Sequence, residues 1–191
     1  MTNPLVAITP ADLDVHITLA YAGDDNFTGR PVYRRDAGCW LVPEAARKLG
    51  LAAGLARPLG LRLRVLDAFR PPEAQRLLWA HTPDPDFLAD PRVGSLHSRG
   101  TAVDLDLIDA ASGRTLDMGG VFDEFTSRSY HANRDVPAEA QRNRLLLLGL
   151  MTAAGWEYYS HEWWHYQLPD ARARYPLLSD SVLGTDGMMP R

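Results

Sequence analysis

The chain has 191 residues, 46% of them hydrophobic and 23% charged, and its 20 basic and 24 acidic residues leave a net charge of −4. That length and mixture describe about one globular domain and exclude a disordered, collagenous or coiled-coil chain. There is no basic excess of the kind a nucleic-acid binder carries, and the single cysteine, Cys39, excludes both an intrachain disulfide and a cysteine-based zinc knuckle.

In chain order, the first segment, MTNPLVAITPADLDVHITLAY, has no positive n-region and no unbroken apolar h-region, so it reads as lacking a secretory signal. The longest aliphatic run, Leu145–Leu148, is far short of the ~20 residues a membrane span needs. The expectation is a cytoplasmic protein with no membrane and no nucleic-acid partner. A polar loop, DDNFTGRP, begins near residue 24. A helix is predicted from Pro43 to about Ala56, opened by a proline in its first turn and dominated by Ala, Arg, Lys and Leu. Arg62–Ala68 alternates Leu63 and Val65 with Arg62 and Arg64, as a half-buried strand does. A second helix starts at Pro71-Pro72 and runs through EAQRLLWA, followed by a Pro/Asp-rich loop over 82–91. Thr101–Ile108 alternates strictly, with Val103, Leu105 and Leu107 on one face and Ala102, Asp104 and Asp106 on the other. A third helix is predicted from about Val136 to Ala154, with Asp135 as N-cap, Leu145–Leu150 as core face and Gly155 as terminator. Trp156–Leu168 is dense in Trp and Tyr and reads as a strand, and an irregular tail follows from about 170. Strands and helices mix without regular alternation. This predicts an α+β fold: one domain over 1–191, with a small, mainly antiparallel sheet and packed helices.

Two of the histidine clusters carry chemistry. In the segment S-L-H-S-R-G-T-A-V-D, His97 precedes a turn through Gly100 and Asp104 lies on the strand beyond, so one nitrogen and one oxygen ligand suitable for Zn²⁺ can meet at the strand's start. A solvated strand face and a turn-capping histidine explain the same residues equally well. The second cluster, His161-Glu162-Trp163-Trp164-His165, matches H-E-x-x-H, whose helical form presents two histidine ligands and a glutamate base. The aromatic flanks bounded by Gly155 and Pro169 argue against a helix. In an extended chain Glu162 points away from 161 and 165 unless the chain bulges. Two versions follow. With His97, Asp104 and His165 as ligands, a fourth position stays open for water, as hydrolysis requires. With His161 added, the tetrahedron closes on a structural metal.

The pattern S-x-H-x-x-G-x-A-x-D followed by E-W-W-H resembles the D-alanyl-D-alanine dipeptidases of the VanX type, zinc DD-peptidases that share a fold with the Hedgehog signalling domain. The resemblance runs nearly end to end. Tyr21 and Asp25-Asn26-Phe27-Thr28-Gly29 resemble the family's N-terminal block, Asp67-Ala68-Phe69-Arg70-Pro71 its D-x-x-R-P block, and Met118-Gly119-Gly120-Val121-Phe122-Asp123 its M-G-x-x-F-D block. Arg142 to Leu150 falls where the family has an Arg- and Leu-rich helix.

The resemblance implies one Zn²⁺ per chain on His97, Asp104 and His165, with the residue before Glu162 outside the ligand set. It implies Glu162 as general base and acid, and Arg70 as the group stabilising the tetrahedral intermediate. It also implies that Asp123 meets the ammonium of a small dipeptide, with the Ser95 hydroxyl near the same end. Tyr21 and Phe27 either line the pocket or belong to the core. Trp163 and Trp164 are expected on alternate faces of the last strand. His16, His81 and His131 have no partners at ligand spacing, and Cys39 has no nucleophile context. The implied activity is zinc-dependent hydrolysis of D-alanyl-D-alanine and close D,D-dipeptides. The rivals are a DD-carboxypeptidase or endopeptidase acting on peptidoglycan peptides, and a non-catalytic binding domain clamped by zinc.

Overall fold

The computed structural model describes residues 3–190. Its centre is a five-stranded sheet. In spatial order the strands are β2 (His16–Ile17), β4 (Leu61–Asp67), β5 (Ala102–Asp109), β7 (His165–Gln167) and β6 (Glu157–Tyr158). The β2–β4 pair is parallel and the other three pairs are antiparallel. A separate two-stranded ribbon joins β1 (Val6–Ile8) to β3 (Cys39–Leu41). The helices are α1 (Pro10–Leu13), α2 (Pro43–Ala56), α3 (Pro72–His81), α4 (Ala138–Ala153) and α5 (Ala171–Arg174). The α+β reading with a small, mainly antiparallel sheet therefore holds.

Strand β5 is the spine. Its first seven residues, all Ala, Val, Leu, Ile or Asp, are buried on both faces, and Asp104 and Asp106 are as inaccessible as their apolar neighbours. They are not a solvated face. Asp106 is opposite Arg64 on β4 and accepts from its Nε at 2.9 Å, which compensates a carboxylate that burial pushes upward in pKa. Below the sheet, α2 turns Ala45, Leu49, Ala52, Ala53 and Ala56 inward. Their small side chains let the helix lie close against β4, with α4 beside it.

Helix α4 differs from its sequence expectation in two ways. Pro137, not Asp135, is its N-cap, and Leu145 is exposed while Leu147, Leu150 and Met151 are buried, because a continuous leucine run on a 3.6-residue period cannot face one way. Gly155 does end the helix, in the left-handed conformation (φ +86°), with the Trp156 amide donating back to the Met151 carbonyl. The tail beyond 170 is punctuated by α5 and by 3-10 turns over Asp180–Asp186. Leu178, Leu183 and Met188 in it are buried in the core.

The predicted strand over Trp156–Leu168 is instead a hairpin. Only Glu157–Tyr158 and His165–Gln167 are extended, and residues 159–164 form a turn closed by the Glu162 amide donating to the Tyr159 carbonyl at 3.2 Å. Trp163 and Trp164 are both buried in that turn, edge to face at 5.2 Å, rather than on opposite faces of a strand. Aromatic density favours a buried β environment, and a buried turn satisfies it equally well.

A second irregularity lies in β4. Arg64 is opposite Asp106 and Val65 opposite Leu105, but the next partner of β5 is Asp67, which faces Asp104; Leu66 is an extra residue. This β-bulge switches which face the chain presents, so Asp67 joins Asp104 on one side of the sheet. Since β7 sets His165 opposite Asp104, one rung across three strands reads Asp67, Asp104, His165.

The approach to β5 depends on Gly100. It has φ +68°, its carbonyl accepts from the Val42 amide at 2.9 Å, and an added Cβ would run into Leu5 Cδ2 and come within 3.3 Å of the Val42 nitrogen. We predict that Gly100→Ala costs at least about 1–2 kcal/mol from the left-handed backbone alone. Urea unfolding should show a lower midpoint, and an unchanged midpoint would disprove the constraint.

Candidate active site

The rung places ligating atoms without any help from a helix. Asp104 comes from the third position of β5 and His165 from the first of β7. His97 opens a 3-10 turn (His97–Arg99) whose left-handed end at Gly100 folds the imidazole back over the rung. Ser95 Oγ accepts from the His97 amide at 3.2 Å, and the His97 carbonyl accepts from the Arg70 amide, also at 3.2 Å.

His97 Nε2, His165 Nδ1 and Asp104 Oδ1 form a small triangle, with sides of 3.1 Å between the two nitrogens and 3.0 and 3.3 Å from the carboxylate oxygen to His165 and His97. Zn–N and Zn–O bonds of about 2.0–2.1 Å in a tetrahedron imply ligand–ligand edges of about 3.3 Å. The outer nitrogens are engaged. His97 Nδ1–H donates to the Ala68 carbonyl at 2.7 Å, and His165 Nε2–H donates to Gln167 Oε1 at 3.2 Å. Each ring therefore turns a lone pair towards a carboxylate oxygen, a convergence of acceptors that a cation satisfies. Among the described residues, this is the one group of three His, Cys, Asp or Glu side chains whose ligand atoms lie within 4.8 Å of one another, and all three are buried. The site fits a divalent metal. Burial opposes ionisation of Asp104, but the charge that His97 and His165 carry when protonated, in place of a bound cation, outweighs that and holds its carboxyl well below the usual range.

His161 is not in that group. Its ring stacks on Tyr130 with centroids 4.3 Å apart, and its Nδ1 is 3.3 Å from the Tyr159 hydroxyl. Glu162, carried by the turn, reaches to 3.8 Å from His165 Nδ1. Burial, reinforced by Asp104 and Asp123, pushes its carboxyl well above the ordinary glutamate value.

Arg70 is buried between β4 and α3 with every nitrogen engaged. Nε donates to Asp67 Oδ2 at 2.7 Å, Nη1 to Gln75 Oε1 at 3.1 Å and Nη2 to Asp104 Oδ2 at 3.3 Å. Tyr33 donates to the other Asp67 oxygen at 2.8 Å. Asp67, Tyr33 and Gln75 were missed as site residues in the sequence. The spacing of Asp67 three residues before Arg70 was a usable signal, whereas nothing in the chain marks Tyr33 or Gln75.

Arg70 also lies over the Tyr21 ring, 5.1 Å from its centroid, and Tyr21 donates to Asp123 Oδ2 at 2.8 Å. Tyr21 is thus both a core aromatic and a link in the site. Asp123 is in the left-handed region (φ +60°), and burial pushes its carboxyl up to about 8 despite Arg70 nearby. Its loop is held by Arg144, whose Nη1 donates to the Arg128 carbonyl at 2.7 Å and whose guanidinium lies over Trp163.

Two cavities lie in this region, and they share no lining residue. One, of about 290 Å³, is lined by Arg70, Ser95, His97, Glu162 and His165 together with the 85–89 loop. The other, of about 720 Å³, takes in Asp123, Phe122, Phe27, Arg64 and Asp106. Ser95 and Asp123, expected at one end of the substrate, therefore open onto different cavities. The 3-10 turn after Ser95 brings that hydroxyl to the His97 side.

Residues 1–182 match the peptidase M15 family, described as D-ala-D-ala dipeptidase. The chain belongs to that family. It is 47% identical to the D-alanyl-D-alanine dipeptidase of Escherichia coli K12 over 94% of this chain and 91% of that protein. Identity to the D-alanyl-D-alanine dipeptidase of Enterococcus faecium is 35%, over 78% of this chain and 84% of the relative. For the protein of that name from Streptomyces coelicolor it is 35%, over 82% and 90%. Family membership and the buried His/Asp/His group together make this a metallopeptidase of the M15 type. No helix among the described residues is long and apolar enough to cross a membrane.

His131, outside the metal group, is packed edge-on against Tyr158 at 4.9 Å. Burial, with Arg144 adding repulsion, lowers its pKa from 6.5 to about 4. The folded state therefore binds this proton less readily than the unfolded chain. Its contribution to stability is complete above about pH 6.5 and is lost as pH falls towards 4. In chelator-treated protein, His131→Gln should flatten the fall in melting temperature between those pH values relative to the parent. Parallel curves would refute the assignment.

Proposed function

We propose that this chain hydrolyses D-alanyl-D-alanine and close D,D-dipeptides, using Zn²⁺ held by His97, Asp104 and His165. The observation that carries the reading is the triangle of three converging ligand atoms, with no fourth ligand in that group among the described residues, and a carboxylate, Glu162, 3.8 Å from one corner. The names of the relatives supply the substrate class.

When bound, the ion contributes Lewis acidity, polarising a peptide carbonyl and making water a stronger acid. Glu162, with its raised pKa, is suited to accept the proton of the attacking water and to pass it to the departing amine. Arg70 directs a permanently charged guanidinium at the carbonyl oxygen as negative charge develops there, and its hydrogen bonds to Asp67, Gln75 and Asp104 hold it in place before the reaction starts. Asp123, oriented by Tyr21, receives the substrate ammonium; ion pairing there brings its elevated pKa back down and fixes the dipeptide's amino end. Ser95 positions His97 through the backbone and lies on the leaving-group side. A requirement for a free amino terminus separates this reading from a carboxypeptidase or endopeptidase, and a ligand set without His161 separates it from a zinc-clamped binding domain.

D-alanine release from D-alanyl-D-alanine should cease with chelator and return with Zn²⁺, while L-alanyl-L-alanine and an N-acylated dipeptide are cleaved far more slowly. Glu162→Gln should retain zinc by elemental analysis and lose about 10²–10⁴-fold in kcat; Arg70→Ala should lose about 10²–10³-fold. His97→Ala should lose metal and activity, whereas His161→Ala keeps both. Zinc loss in His161→Ala with retention in His97→Ala would reverse the ligand assignment.

A further inference from the structure

The proposed substrate is a zwitterion, so a site selective for it needs an anion at one end and a cation at the other. The anion is Asp123, in the larger cavity. Two arginines line the smaller cavity, Arg70 and Arg172. Arg70 is already matched, since its Nε and Nη2 meet the carboxylates of Asp67 and Asp104 and its Nη1 meets Gln75. Three of its five N–H groups are so committed, and the two that remain, on Nη1 and Nη2, are the ones the proposed reading gives to the carbonyl at the centre.

Arg172 is different. It projects from α5, just beyond β7, and is exposed. Its Nη1 donates to the Gly94 carbonyl at 3.0 Å, which steers the side chain towards Ser95 and His97, and it forms no ion pair with any carboxylate among the described residues. Asp86 is the other charged group on this rim apart from Glu162. With Nη1 anchored on a backbone oxygen, Nη2 and Nε have no hydrogen-bond partner among the described residues, and together they make the planar fork that receives a carboxylate. Arg172 lines the same cavity as Ser95, His97, Glu162 and His165, so a substrate lying in that cavity beside the metal group comes against it.

We propose that Arg172 receives the terminal carboxylate of the dipeptide, with the Ser95 hydroxyl beside it. It is the cationic counterpart of Asp123 and fixes which way round the substrate lies. This rests on the dipeptidase reading and deepens it. The carboxylate is remote from the bond that breaks and keeps its charge throughout, so Arg172 holds ground state and transition state alike. Its loss should raise KM and spare kcat.

The test compares the zinc-loaded parent with Arg172→Ala and Arg172→Lys on D-alanyl-D-alanine and on its C-terminal amide. The parent should prefer the acid. In Arg172→Ala, KM for the acid should rise about 10-fold or more, with kcat within about threefold. Amide cleavage should change little, so the preference collapses, and Arg172→Lys should recover part of it. Arg172 is exposed, so the variants fold; circular dichroism confirms this. Equal loss on both substrates would mean that the Arg172–Gly94 contact only holds the chain in shape, and no change on either would remove Arg172 from recognition. Both outcomes overturn the proposal while leaving the dipeptidase reading intact. A parent that releases no D-alanine from either substrate overturns the dipeptidase reading, and this inference with it.

Discussion

The structure depends on an electrostatic constraint at one rung of the sheet. Asp67, Asp104 and His165 are brought side by side from three strands, and two buried carboxylates in such proximity repel unless cations stand between them. Arg70 supplies one, touching both Asp67 and Asp104. The metal group supplies the place for the other, since Asp104 turns its second oxygen to His97 and His165. The positive charge of the reaction centre and the neutralisation of the core are the same arrangement. Much of the rest of the fold serves that rung: Tyr33 and Gln75 complete the Arg70 contacts, Gly100 lets His97 fold over it, and the hairpin turn brings Glu162 to its edge.

This accounts for which parts were legible beforehand. Helix α2 and strands β4 and β5 show in the chain because their periods are local properties, and the α+β class follows from their mixture. The ligand candidates were readable through the resemblance of S-x-H-x-x-G-x-A-x-D and E-W-W-H to a known family, since the local spacing alone fitted a solvated strand face and a turn-capping histidine equally well. Glu162 was the instructive difficulty. In a continuous strand it points away from His165, and H-E-x-x-H invites a helix; the molecule uses neither. Its six-residue turn, stitched by the Ser129 carbonyl to the Trp163 amide, draws on residues more than thirty positions upstream. No local pattern carries that information.

The separation of Ser95 from Asp123 was hidden for the same reason. Both are polar residues near the metal group, and only the three-dimensional path of the chain shows that Tyr21 and Arg70 come between them. On the proposed reading the site is polar: Asp123 on one side, where burial raises its carboxyl, and on the other Arg172, with no anionic partner among the described residues, to be met by the two ends of a small zwitterion.

The extra residue Leu66 has a consequence for how β4 tolerates change. Upstream of it the strand's parity is set by the sheet, so that Arg64 meets Asp106; downstream the parity is set by chemistry, so that Asp67 meets Asp104. Were the same chain to pair in regular register without the bulge, Leu66 would take the place opposite Asp104, and Asp67 would fall opposite Val103 in the aliphatic layer with Val65, stripping Arg70 of its nearest counterion. Pairing register, rather than residue type, is what this stretch cannot alter.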